Sequence, residues 1–155
     1  MKLSARRIAL ALPLALAATA FLPLAEAWGP RQEREQHEES PLGQAMEHMK
    51  AGMRKAKRGL EAGDTAAAIE GMGEFQANLL AAKLETPPMA AGVPEGERAA
   101  FVAAYRVTLL DALRASCDVE QALLEGRLDD AKTLFGEKLR PMEKAGHERF
   151  TEDED

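Results

Sequence analysis

The sequence predicts an all-α protein, an antiparallel up-down-up-down four-helix bundle. Three observations carry this. Apolar residues recur at spacings of three and four along four segments, nothing reads as a strand with period two, and two of the three connections are very short. With 155 residues, 46% hydrophobic and 30% charged, the chain supports one globular domain. One Cys excludes an internal disulfide framework and a zinc site built on paired cysteines.

Residues 1–27 read as an address. Lys2, Arg6 and Arg7 precede an apolar run that ends Ala25-Glu26-Ala27, the pattern of a Sec-type signal peptide. An uncleaved membrane anchor competes for the same apolar run. Pro13 and Pro23 within it, and the polar sequence directly after Ala27, favour cleavage. The mature chain is then expected to begin at Trp28 with 128 residues, in the periplasm and without a stable membrane anchor. Losing three basic residues and Glu26 leaves 17 Lys+Arg against 25 Asp+Glu, a net charge of −8. Such an acidic chain is poorly suited to nucleic acid, whose phosphates demand a basic surface. Residues 28–40 carry many charges and no apolar period, and are expected to be a disordered leader in which His37, Glu38 and Glu39 are solvated. An acidic tail occupies 151–155.

The first helix, about 41–62, starts at Ser40-Pro41, a capping hydroxyl followed by proline at the first helical position. Leu42, Met46, Met49, Met53, Ala56 and Leu60 then fall within an arc of about 80°. Gly63 stops this helix and Asp64 caps the second, about 65–84, with Ile69, Met72, Phe75, Leu79 and Leu80 as its apolar residues. The proline- and glycine-rich ETPPMAAGVPEG breaks it. Phe101, Tyr105, Thr108, Ala112, Val119 and Leu123 make the stripe of the third helix, about 97–124. After the Glu125-Gly126-Arg127 turn, Leu128, Ala131, Phe135, Leu139 and Met142 open the fourth, about 128–150. Cys117 is expected to be a buried small apolar residue on the third helix, with an intermolecular disulfide as the alternative.

An antiparallel bundle brings the start of helix one, the end of helix two, the start of helix three and the end of helix four to one level. Met46 lies roughly 8 Å inside one end of its helix and His147 roughly 5 Å inside the end of the other. Leu79, Leu80, Phe101 and Tyr105 arrive at the same height. A thioether, an imidazole and an apolar wall bearing aromatics suit an iron porphyrin. Taken singly, each has a plainer explanation: methionine as core filler, histidine as a solvated complement to the helix dipole, and aromatics as ordinary core.

The segments LGQAMEHM, KLETPP, LLEGRLDDAK and LRPMEKAGHERF resemble the cytochrome b562 family over about residues 41–150. The resemblance implies one non-covalent haem b, with Met46 and His147 as axial ligands and Tyr105 packed against the ring. Leu109 falls where a second aromatic is usual. The related cytochromes c′ attach haem through C-x-x-C-H, and Glu143-Lys144-Ala145-Gly146-His147 lacks both cysteines, so a bound haem is b-type. The family moves single electrons in the periplasm. That implies a redox partner with a basic docking patch, a monomer or weak dimer, and no enzymatic turnover, since two axial protein ligands leave iron no open position.

Between the Glu125-Gly126 turn and His147 the chain carries one residue more than the family pattern. On an unbroken α-helix His147 would sit about 100° off the apolar stripe. A π turn near Gly136 to Pro141 would absorb the extra residue and return His147 inward, with Pro141 as its cause. A haemless periplasmic bundle, acting in stress response, in protein interaction or as a copper binder, is the alternative function. Met46, Met49 and Met53 with His48 carry the copper version, although His48 lies about 200° round the helix from Met46.

Overall fold

The computed structural model describes residues 40–150. The expected signal peptide, the leader with His37, and the tail at 151–155 lie outside the described residues. The order is α1 (Pro41–Ala62), α2 (Thr65–Ala82), a 3-10 turn (Pro88–Gly92), α3 (Glu95–Leu124), α4 (Leu128–Leu134), a π turn (Phe135–Leu139) and α5 (Arg140–Phe150). The last three follow without a break and form the fourth of four helical rods. There is no strand among the described residues, and no helix there is long and apolar enough to cross a membrane.

The boundaries of α1 and the start of α2 follow from capping. Ser40 is extended, and its Oγ accepts from the Gly43 N–H at 2.9 Å. Gly63 ends α1 at φ 71°, a left-handed conformation that costs glycine nothing. Asp64 then accepts from the Ala67 N–H at 3.0 Å and starts α2. A two-residue link therefore lays α2 directly along α1.

Glycine sets how close the two helices come. A methyl group on Gly71 would lie 2.4 Å from the Ala56 nitrogen, one on Gly59 2.5 Å from the Ala68 nitrogen, and one on Gly52 2.7 Å from the Phe75 nitrogen. All three glycines are buried, so backbone meets backbone along this seam. At its edge Lys55 bridges Glu70 at 2.6 Å and Glu74 at 2.7 Å, and these two hydrogen bonds raise the pKa of the ammonium. Exposed pairs of this kind add little stability beside the packing.

α2 ends at Ala82, two residues short of expectation, and Leu84 is solvent-facing. The linker that follows is tied to α3 by Arg98, whose Nε donates to the Ala90 carbonyl at 2.9 Å. α3 begins at Glu95, two residues early, with Glu95 and Glu97 in the first turn where the helix dipole favours carboxylates. Cys117 is exposed, against expectation. The neighbouring Ser116 takes the inward position, fully buried, with Oγ donating to the Leu113 carbonyl at 2.7 Å. One residue is about 100° of rotation, enough to carry Cys117 out of the core.

At the α3–α4 turn Gly126 has φ 74° and the Arg127 N–H donates to the Ala122 carbonyl at 2.8 Å. The fourth rod is interrupted where the extra residue was expected. The Arg140 N–H donates to the Phe135 carbonyl five residues back, the signature of a π turn. Pro141 follows immediately; it has no N–H to give, and its ring crowds the carbonyl four residues before it. Phe135, Leu139 and Phe150 all remain buried through this change of phase.

Contacts between rods are uneven. α1 packs mainly on α2, α2 on α3, and α3 on the whole fourth rod. α1 meets the fourth rod at α4, where Gly63 approaches the Leu128 side chain, and it hardly touches α5.

The glycine seam has a direct test. Gly71→Ala is expected to lower the unfolding free energy by about 1–3 kcal/mol, because the clash is with rigid backbone. Gly73→Ala, on the same helix with nothing within 4 Å of the added methyl, is expected to raise it by about 0.4–1 kcal/mol. Urea unfolding of the two variants measures both signs.

Candidate cofactor site

The gap between α1 and α5 is a cavity of about 60 Å³. Met46 and Met49 come from α1, Phe75 and Leu79 from α2, Tyr105, Thr108, Leu109 and Ala112 from α3, and Met142, His147 and Phe150 from α5. Lys50, Glu143 and Gly146 complete the lining. Of the six residues selected from the sequence, Met46, Leu79, Tyr105 and His147 therefore share this cavity. Leu80 does not; it is 46% exposed, one residue and about 100° round α2 from the buried Leu79. Phe101 also lies outside the lining and stands behind it, edge-on to Phe150 at 5.3 Å between ring centroids.

Phe150 was missed as a wall residue. It is buried and meets Tyr105 edge-on at 5.4 Å, so the last residue of α5 closes the aromatic cluster. Its signal is the spacing Met142, Gly146, Phe150, visible only once the π turn has reset the phase. Phe75 was read as core and in fact faces the cavity. These two rings supply the aromatic surface that Leu109 does not.

His147 is oriented by its own helix. Its Nδ1 lies 2.9 Å from the Glu143 carbonyl oxygen. A carbonyl only accepts, so Nδ1 carries the proton and Nε2 carries the lone pair. That is the tautomer in which imidazole ligates a metal through Nε2. The ring is largely exposed, at the mouth of the cavity, while the Met46 side chain is half-buried. Also on the lining is Lys50, which pairs with Glu47 at 2.9 Å and holds that carboxyl below its usual range.

Tyr105 is the polar group set deepest in the wall. Its hydroxyl donates to the Ala82 carbonyl at 3.1 Å, and burial, with a smaller contribution from the charge of Glu85, pushes its pKa up to about 12. It therefore stays neutral at any physiological pH.

The donor set can be tested against a haem. A thioether and a neutral imidazole on facing helices, backed by an apolar wall, match what the iron and the macrocycle need. The cavity itself falls short of the roughly 300–1,000 Å³ of cofactor-sized pockets, so α1 and α5 must part to admit one. The sparse contact between those two helices is the place where that can happen. Among the described residues no group of three or more His, Cys, Asp or Glu side chains could hold a metal. His48 is exposed and Met53 is core, and neither reaches the cavity. Comparison with family models, curated proteins and solved structures gives no match.

Two tests follow from this geometry. An unfolded tyrosine ionises near pH 10 and Tyr105 near 12, so the unfolded chain loses the proton first. The corresponding stability is whole below pH 10 and is lost between pH 10 and 12, on the order of 2–3 kcal/mol. Denaturant unfolding across that window is expected to show a steeper decline for the native protein than for Tyr105→Phe. The second test concerns the phase of α5. One alanine inserted after Gly136 turns α5 by about 100° and expels Phe150 from its cluster, at about 3–5 kcal/mol if none of the contact is recovered. Thermal unfolding reads the loss.

Proposed function

We propose that this chain is a periplasmic b-type cytochrome of the cytochrome b562 kind, an up-down-up-down four-helix bundle that binds one non-covalent haem and passes single electrons. The observation that carries it is the meeting of Met46 and His147 on one apolar cavity, with the histidine proton on Nδ1. The haem iron supplies a one-electron couple, and a Met/His axial pair favours its reduced form. Met46 presents the soft thioether and His147 the basic Nε2. The Glu143 carbonyl fixes the imidazole plane, while Phe75, Leu79, Tyr105 and Leu109 exclude water and keep the local dielectric low.

Paired contacts support the topology. Gly59 lies against Ala68 and Gly52 against Phe75; Phe150 lies against Phe101 and Tyr105, and Gly146 against Thr108. With both axial positions taken by protein, substrate has no place on the iron, and electron transfer is favoured over catalysis. The acidic mature chain suits a partner with a basic patch, met in brief and salt-sensitive encounters.

The test is an absorption spectrum of the purified protein with haem supplied. A sharp α-band on reduction, lost in Met46→Ala and in His147→Ala, is the expected result. Failure of the native protein to take up haem refutes the proposal.

A further inference from the structure

We propose that the same cavity, without haem, binds one Cu(I) ion through the thioethers of Met46, Met49 and Met142 and Nε2 of His147. The methionines divide by place. Met53 and Met72 are 6% and 0% exposed and fill the core, whereas Met46, Met49 and Met142 are half-buried and line the cavity. Two of the three leave α1 on one face, three residues apart, and the third leaves α5 together with His147. Thioether sulfur and imidazole nitrogen are soft to borderline donors, and this combination prefers Cu(I) to harder or divalent ions.

Size favours the same occupant, since about 60 Å³ takes a metal ion without moving α1 from α5. Charge is compatible. Glu143 on the lining offers a counter-charge to the ion, and the one ammonium there, Lys50, is paired with Glu47. The inference does not depend on haem binding. Because both occupants use Met46 and His147, they exclude one another.

The exposed Cys117 thiol binds Cu(I) by itself, so the experiment uses Cys117→Ser. Cu(I) is titrated anaerobically against a chromophoric Cu(I) chelator. One ion retained per chain is expected, with Met49→Leu and Met142→Leu each weakening retention at least about tenfold. No retention by Cys117→Ser, or equal retention when both methionines are replaced, overturns the proposal. Silver(I), a redox-inert stand-in, is added to the same protein with methionine methyl resonances observed. Shifts at Met46, Met49 and Met142 support the site; shifts confined to Met53 and Met72, or none, overturn it without reliance on any variant. Haem uptake is read separately by its α-band. Copper retained without that band fells the haem proposal alone, and the band without copper fells this one alone.

Discussion

The seam between α1 and α2 is the constraint on which the rest of the molecule depends. Gly52, Gly59 and Gly71 remove the side chains that normally hold two helices 8–10 Å apart, and backbone atoms take their place. A helix drawn this close to one neighbour is drawn away from another. α1 keeps contact with the fourth rod where Gly63 approaches Leu128, and loses it towards Met46. The cavity is the space so released. Met46 and Met49 are half-buried because their helix has turned its best packing surface to α2.

The second constraint acts on the opposite wall. The fourth rod must bury Phe135 and Leu139 near its middle and Phe150 at its end, and an uninterrupted α-helix cannot keep all three on one face with Pro141 between them. The π turn loses regularity in the hydrogen-bond ladder and recovers the burial of a phenylalanine, which is worth more than one helical bond. His147 lies three residues before Phe150. Its approach to the cavity is thus a by-product of where the aromatic ring has to go. Phe150 in turn stands against Phe101 and Tyr105, so the aromatic cluster fixes the histidine's position without touching it.

Much of this was legible from spacing. The caps at Ser40, Gly63, Asp64 and Gly126 were readable because each has one dominant local cause, and the helices lie where those caps put them to within two residues. The π turn was readable from a count of residues together with Pro141. What escaped was set by partners distant in sequence. Nothing in the pattern around Gly59 or Gly71 distinguishes a glycine held against a neighbouring backbone from one facing water, and Gly73, two residues from Gly71, faces open space. Leu80 and Cys117 were placed inward on chemical type, and each is one residue from the position that is buried. Phe150 stood at the expected end of its helix, where fraying makes burial hard to foresee.

The weakness of α5 bears on what fills the cavity. At 11 residues it is too short to persist as an isolated helix, and a π turn precedes it, so its place rests on tertiary contact. Those contacts lie on the α3 side, through Phe150 with Phe101 and Tyr105, and through Gly146 with Thr108. On the α1 side the backbone has almost no neighbour. A ligand seated between Met46 and His147 would supply the missing contact, joining the helix most tightly packed in the molecule to the one least so. Its binding energy would then fall chiefly on α5, because the rest of the bundle is already held by the glycine seam and the core of α3. A small ion can make that link through donor bonds alone. A macrocycle must first widen the gap, and in return it offers the apolar surface that α5 lacks on that face.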